Sequence, residues 1–296
     1  MSGTSENHAA KFEPERGRLL GLAYRMLGSL AEAEDVVQDA FLRFQAVELG
    51  AVNDPPSYMS KTVARLCLDR LKSARARRET YVGTWLPEPV VAEEPATAPD
   101  RRLELADDLS FALLLTLERL SPPERTAFLL HDVFGMEFEG VAQVLERSSS
   151  ACRKLAERAR EQVHSGRTRF SVAPEDETRL LTAFLQASAA GDAAGIQQLL
   201  AADAVLYSDG GGKRRAALKP LRGPEKIVRF LVGVRHSVDW HEPSAVEPRR
   251  VNQLPGMLIR YESGDVAVAA FELRDGLIAG IYLMNNPEKL RHLQDA

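Results

Sequence analysis

Pro87, Pro89, Pro95 and Pro99 crowd into one stretch of the chain, with Glu93 and Glu94 among them. Each proline fixes φ and removes a backbone donor, so neither a helix nor a central strand runs through that stretch. Residues 80–106 therefore read as an extended, solvated linker, and the chain must fold as separate units around it. Its 296 residues suffice for two or three domains. After a short polar leader, the pattern divides into a helical unit at 8–79, a smaller helical unit at 107–166, and a domain of different texture at 174–296.

In the first unit, Ser29 and Glu32 have capping-box spacing, and Ala33, Val36, Val37, Ala40, Phe41 and Phe44 then recur as one apolar stripe. The other face of that helix carries Glu34, Asp35, Gln38, Asp39 and Arg43. A second helix starts at Asp54-Pro55-Pro56, where Asp caps and Pro fits the first turn. Along it Met59, Val63, Leu66 and Leu71 share one side, while Lys61, Arg65, Arg70, Lys72, Arg75, Arg77 and Arg78 supply cations almost unopposed by acid. The formal net charge of -4 thus conceals a segregated basic helix. Such a helix suits a phosphate backbone, because each neutralised phosphate releases condensed counterions. Asn53, Ser57, Tyr58 and Thr62 at its start suit unstacked bases, by hydrogen bonding or stacking. Taken alone, both charged faces also fit an ordinary solvated surface.

In the second unit, Ser121-Pro122-Pro123-Glu124 is a strong helix start, and Gly135 ends that helix. EFEGVAQVLERSSSACRKLAERAREQV then reads as helix, short turn, helix. Phe138, Val141, Ala142 and Leu145 form the inner side of the first helix, and Leu155, Ala159 and Val163 that of the second. Ser149, Ser150, Arg153, Lys154 and Arg158 remain outside. In a helix-turn-helix the start of the second helix enters the major groove, where Arg or Lys pairs with guanine edges and Ser reaches base or phosphate. The turn holds Glu146-Arg147 rather than Gly, and a left-handed residue there costs about 1 kcal/mol. A structural hairpin fits the same pattern.

AEDVVQDAFLRF followed by PPSYMSKTVARLCLDRLKSARARRETYVG resembles conserved region 2 of extracytoplasmic-function sigma factors, and the SPPER-led helix pair behind it resembles their region 4. The resemblance implies binding to core RNA polymerase through Asp35, Gln38, Asp39, Phe41 and Arg43. It implies recognition of the promoter -10 element by residues from Asn53 to Lys61 with Thr62, Arg65, Arg70, Arg75 and Arg77. The -35 element falls to Ser149, Ser150, Arg153, Lys154 and Arg158.

From Pro174 onward two helix-like stretches, Glu175 to Ala190 and Asp192 to Ala201, lead into VLYSDGGG. A helix-like run follows Gly223-Pro224, and strand-like runs occur at GMLIRYE, DVAVAAFEL and LIAGIYLM. Helices followed by strands suggest an α+β domain with a curved antiparallel sheet. YVGTWLPEP in the linker, SDGGGK and NPEKL read singly as an aromatic anchor, a glycine turn and a helix cap. Jointly they resemble the sigma-factor subgroup with a SnoaL-like C-terminal extension, a cone-shaped α+β fold. That resemblance implies a fused regulator in which Trp85, Leu86 and Pro87 meet Asp209, Gly210, Gly211, Gly212 and Lys213, together with Asn286, Pro287 and Lys289.

Many domains of that fold are enzymes or bind small molecules, so Tyr207, Asp209, His236, Asp239, Trp240 and His241 are candidates for catalysis. An unknown small-molecule ligand in the same cone is a separate possibility. No metal cluster, nucleophile elbow or phosphate loop is expected, nor any cofactor; DGGGK does not satisfy GxxxxGK[ST]. Cys67 and Cys152 fit no disulfide framework, and their context suggests the reducing cytoplasm. The N-terminus lacks a signal-peptide pattern and no run approaches 18 apolar residues, so no membrane association is expected. A dimeric repressor would not need AEDVVQDAFLRF, and the free protein is expected to be a monomer.

Overall fold

The computed structural model describes residues 2–79, 81–92, 110–164, 174–237 and 241–294. They cluster into two units, Met1–Glu79 with Ala96–Arg167, and Thr80–Pro95 with Thr168–Ala296.

The first unit contains two helical lobes. One comprises α1 (Ser2–Leu27), α2 (Leu30–Gln45) and α3 (Pro55–Glu79). The stretch expected as a polar leader is part of α1, because a buried histidine ties it down. His8 is 3% exposed, its Nε2 lies 2.9 Å from the Val47 carbonyl, and its ring meets Phe44 edge-on at 5.1 Å. Ser29 Oγ accepts from Glu32 N at 3.2 Å, which fixes where α2 begins. The inner sides of the helices close a core around Leu22, Tyr24, Phe44, Met59 and Val63.

The other lobe holds α4 (Phe111–Arg119), α5 (Pro122–Phe128), α6 (Phe138–Leu145) and α7 (Ser149–His164). Glu124 accepts from Ser121 N at 3.1 Å at the head of α5. That helix runs on through a π turn, Leu129–Val133, and ends at Gly135 with φ +67. Between α6 and α7, Glu146 takes the left-handed conformation at φ 53 and ψ 45. The turn demands it although no glycine is available.

Within this unit the lobes pack on each other. Arg125, 2% exposed, donates to Met26 O at 2.5 Å and pairs with Glu118 at 2.8 Å. Arg18 donates to Phe134 O at 3.2 Å and lies over the Phe134 ring.

The second unit runs α8 (Pro174–Ala190), α9 (Ala193–Leu199), β1 (Leu200–Asp209), β2 (Leu221–Arg222) and α10 (Pro224–Arg235). β3 (Ala245–Val251), β4 (Leu254–Arg260), β5 (Val266–Arg274) and β6 (Leu277–Met284) follow. The six strands form one sheet in the order β2-β1-β6-β5-β4-β3. This is the expected α+β architecture with two corrections. β1 pairs with β6 in parallel, so the sheet is mixed rather than wholly antiparallel, and Leu200 and Ala201 begin β1 instead of ending a helix. Phe184, Ile196 and Ile227 from the helices pack with Phe271 and Ile281 of the sheet.

A larger correction concerns the linker. Residues 81–92 belong to this second unit, and residues 86–90 are buried rather than solvated. Residues 93–106 of the expected linker lie outside the described residues.

Candidate nucleic-acid interface and linker clamp

α2 buries Ala33, Val36, Val37, Ala40 and Phe44. This leaves Asp35, Gln38, Asp39 and Arg43 exposed on its far side. Phe41 is half-buried against Phe12, ring centroids 4.6 Å apart, so it contributes to packing as well as to any outer surface. Sequence reasoning passed over Leu42, which is 54% exposed and follows Asp35, Gln38 and Asp39 at helical spacing. An exposed leucine amid acids on one face was the available signal.

On α3 the expected DNA-facing residues divide. Asn53 and Arg65 are exposed, Ser57, Tyr58 and Lys61 half-buried. Thr62 is buried and donates its hydroxyl to Tyr58 O at 2.9 Å, so that hydroxyl is already engaged within the helix. Arg70 is also drawn off. It reaches α2, 3.5 Å from Asp35 and 3.4 Å from Asp39, and donates to Glu32 O at 3.1 Å. Lys72 pairs with Asp69 at 2.8 Å, so the basic helix is less unopposed than its sequence suggested. Lys61 donates to Gln143 Oε1 at 2.9 Å and Arg65 to Gln143 O at 2.8 Å, both on α6 of the other lobe. The side chains of Arg75 and Arg77 lie outside the described residues.

In the helix-turn-helix, Ser150, Arg153, Lys154 and Arg158 are exposed and Ser149 half-buried. Ser148 caps α7, its Oγ accepting from Ala151 N at 3.3 Å. Arg153 lies over the Phe138 ring at 5.1 Å and Arg158 sits 3.3 Å from Glu124. Lys154 projects outward.

The three short strings converge inside the second unit. Asp209, at the end of β1, is fully buried. Its Oδ1 accepts from the Tyr81 hydroxyl at 2.5 Å and from Gly211 N at 3.0 Å; its Oδ2 accepts from Leu86 N at 2.9 Å and Lys289 Nζ at 2.8 Å. Lys289 also donates to Leu86 O at 2.5 Å and stands over the Trp85 ring at 4.2 Å. Asn286 Nδ2 donates to Tyr81 Oη at 2.9 Å. Burial first, then Asp209, pushes the Tyr81 hydroxyl well above its ordinary range, so it stays a donor.

Glycine is required in this loop. Gly211 has φ +61 and a Cβ there would run into Asn286; Gly212, at φ +70, faces Val82. Gly210 follows directly, while Lys213 pairs with Glu288 at 2.5 Å and Pro287 is half-buried. Sequence reasoning missed a second fastening. Val90 N donates to Asn252 Oδ1 at 2.9 Å, Asn252 N returns to Val90 O at 2.8 Å, and Val91 bridges Val251.

A cavity lies between the helices and the sheet of this unit, and neither Tyr207, Asp209, His236 nor His241 lines it. Tyr207 stacks on Tyr282 instead, at 5.5 Å. Asp239 and Trp240 lie outside the described residues. Among the described residues there is no group of three or more His, Cys, Asp or Glu able to hold a metal, and no helix long and apolar enough to cross a membrane.

Two packed helical lobes, one ending in a helix-turn-helix and the other bearing a basic helix beside an acidic one, define a DNA-binding initiation factor with an added α+β domain. Residues 11–77 match the family described as Sigma-70 region 2, and residues 110–163 that described as Sigma-70, region 4. The chain is 38% identical over 291 residues to the ECF RNA polymerase sigma factor SigJ of Mycobacterium tuberculosis, covering 95% of this chain and 92% of that protein. A probable ECF RNA polymerase sigma factor of the same organism, SigI, is 30% identical over 97% of this chain and 96% of its own. The crystal structure of SigJ superposes with a TM-score of 0.76 at 34% identity, over 96% of this chain and 98% of that one. The chain belongs to the extracytoplasmic-function RNA polymerase sigma factors, which bind core polymerase and direct promoter-specific initiation.

Proposed function

We propose that this sigma factor is governed by its own C-terminal domain, which grips the linker joining the two DNA-binding lobes. The observation that carries this reading is the buried Asp209 carboxylate, shared by Tyr81, Leu86 and Lys289. A linker segment built into a folded domain cannot take a path independent of it. The prolines lower the entropy lost on docking relative to a glycine-rich linker.

In this reading Asp35, Gln38, Asp39, Phe41 and Arg43, with Leu42 added, face core polymerase. Asn53, Ser57, Tyr58, Lys61, Arg65, Arg75 and Arg77 serve the -10 element, and Ser149, Ser150, Arg153, Lys154 and Arg158 the -35 element. Thr62 and Arg70 act as supports. The lobes must also part. The two promoter elements lie some 25 base pairs apart, roughly 85 Å at 3.4 Å per base pair, whereas a compact unit of about 150 residues has a radius of gyration of roughly 15 Å. Opening frees Lys61 and Arg65 from Gln143 for phosphates.

The free protein is a monomer acting in the cytoplasm, and the second unit regulates rather than catalyses. Run-off transcription with core polymerase tests the reading. Trp85→Ala and Lys289→Ala should each change promoter-specific output at least threefold; output equal to the unaltered chain in both would refute control through the clamp.

A further inference from the structure

The cavity in the second unit measures about 280 Å³, close to the lower end of small-molecule pockets at about 300 Å³. Phe184, Phe230, Met257, Ala269, Phe271 and Leu283 are among its walls. Such a lining favours a ligand that is mostly hydrocarbon or aromatic, since polar groups brought there would lose their hydration without replacement. Ser208, Arg215, Arg235, Glu242 and Tyr261 also border it, and two further polar residues, Ser188 and Asn285, carry atoms with no partner. Ser188 Oγ and Asn285 Oδ1 are buried and have no hydrogen-bond partner. Asn285 Nδ2 donates to Arg215 O at 2.9 Å, which identifies the unpaired atom as the acceptor oxygen. Of the charged wall residues, Arg235 is already engaged by the Ser188 carbonyl at 2.8 Å and by Glu242 at 3.6 Å, and Arg215 and Glu242 are exposed to solvent, so a buried charge on the ligand would find no desolvated partner.

The wall and the clamp share backbone. Ser208 lines the cavity and Asp209 holds the linker; Asn285 lines the cavity and Asn286 holds Tyr81. Asn285 N donates to Asp209 O at 2.9 Å, joining the two strand ends. At the end of β1, where successive residues face opposite sides, Ser208 faces the cavity and Asp209 the linker; just beyond β6, Asn285 borders the cavity and Asn286 reaches the linker.

We propose that this cavity binds an uncharged, largely apolar small molecule bearing a hydroxyl or N–H donor for Asn285 or Ser188, and that its occupancy alters the grip on Trp85. The second half rests on the clamp being regulatory. A ligand shifts an equilibrium only through different affinity for its two states, and a contact to Asn285 supplies that difference where the strand ends move.

N-phenyl-1-naphthylamine, an uncharged fluorophore with one N–H, is titrated into the full chain. Saturable binding at one site per chain is expected, displaced by 1-octanol better than by octanoate. Ala269→Leu, which fills the cavity, should weaken binding at least tenfold, and Asn285→Leu about fivefold. Ser188→Ala, about threefold weaker, carries the hydrogen-bond test if Asn285→Leu fails to fold. Non-saturable binding, equal affinity in Ala269→Leu, or stronger displacement by octanoate overturns the site. In a Trp240→Phe chain, Trp85 is the remaining tryptophan, and 1-octanol should shift its emission; unchanged emission at saturating 1-octanol overturns the coupling and leaves the site standing. Transcription by Lys289→Ala judges the clamp separately.

Discussion

Lys154 and Lys289 are the same residue type in opposite circumstances. Lys154 stands exposed on α7. Lys289, its side chain only 14% exposed, is held by Asp209, the Leu86 carbonyl and the Trp85 ring. A cation awaiting DNA must stay solvated and replaceable, whereas a cation that fixes a chain segment must have every donor direction answered. The same contrast separates the outer faces of α2, α3 and α7 from the clamp: under the proposed function the former would serve binding with little effect on stability, and the latter stability and only through it binding.

The sharpest way to break that comparison is Asp209→Ala. Leaving Lys289 buried without its carboxylate should cost about 3–5 kcal/mol, seen as a lower unfolding midpoint in thermal melts; an unchanged midpoint would show that the clamp is not structural. Tyr81→Phe, which removes the bond donated to Asp209 and the one accepted from Asn286, should cost about 2–3 kcal/mol. Because the folded clamp raises the Tyr81 hydroxyl above its free value, its contribution is complete below pH about 10 and is lost as pH rises beyond it. Chemical denaturation across that range should show an alkaline loss that Tyr81→Phe lacks.

On the binding side, Leu42→Ala should weaken the complex with core polymerase about tenfold, the size of a modest interface hot spot, with melting unaltered. Glu146→Gly should raise stability by about 1 kcal/mol by relieving the left-handed residue, measurable by urea denaturation. Smallest of all, Lys154→Ala should lower the salt dependence of promoter-DNA binding by about one unit of slope while leaving stability within about 0.5 kcal/mol.

Much of the helical unit was legible because capping and periodicity act locally. Ser29, Ser121 and the stripe from Ala33 to Phe44 state their roles within a few residues. That Arg70 reaches α2 was not legible because a basic helix shows its charge in sequence but not which cations a neighbour claims, and nothing in the sequence showed that the Thr62 hydroxyl is taken up by Tyr58 O. The proline segment was read correctly as non-helical and wrongly as solvated: Pro87 and Pro89 forbid a helix, yet the burial of Leu86 and Val90 depends on Asp209 and Asn252, remote in sequence. β3 escaped notice because its half-buried positions include the charged Glu247 and Arg249, alternating with exposed Val246, Pro248 and Arg250, so no apolar face marks it as a strand. The parallel pairing of β1 with β6 depends on a long connection that no local pattern encodes.

The fastening of residues 90–92 along Arg250 to Asn252 has one more consequence. β3 is the outermost strand of its sheet, and its terminal backbone groups are answered by the linker, with Ala92 N donating to Arg250 O at 2.9 Å. Peeling the linker away would therefore bare a strip of unpaired edge, a template onto which another extended chain can align. The released form carries the greater tendency to self-associate, so the clamp also acts as a guard on solubility.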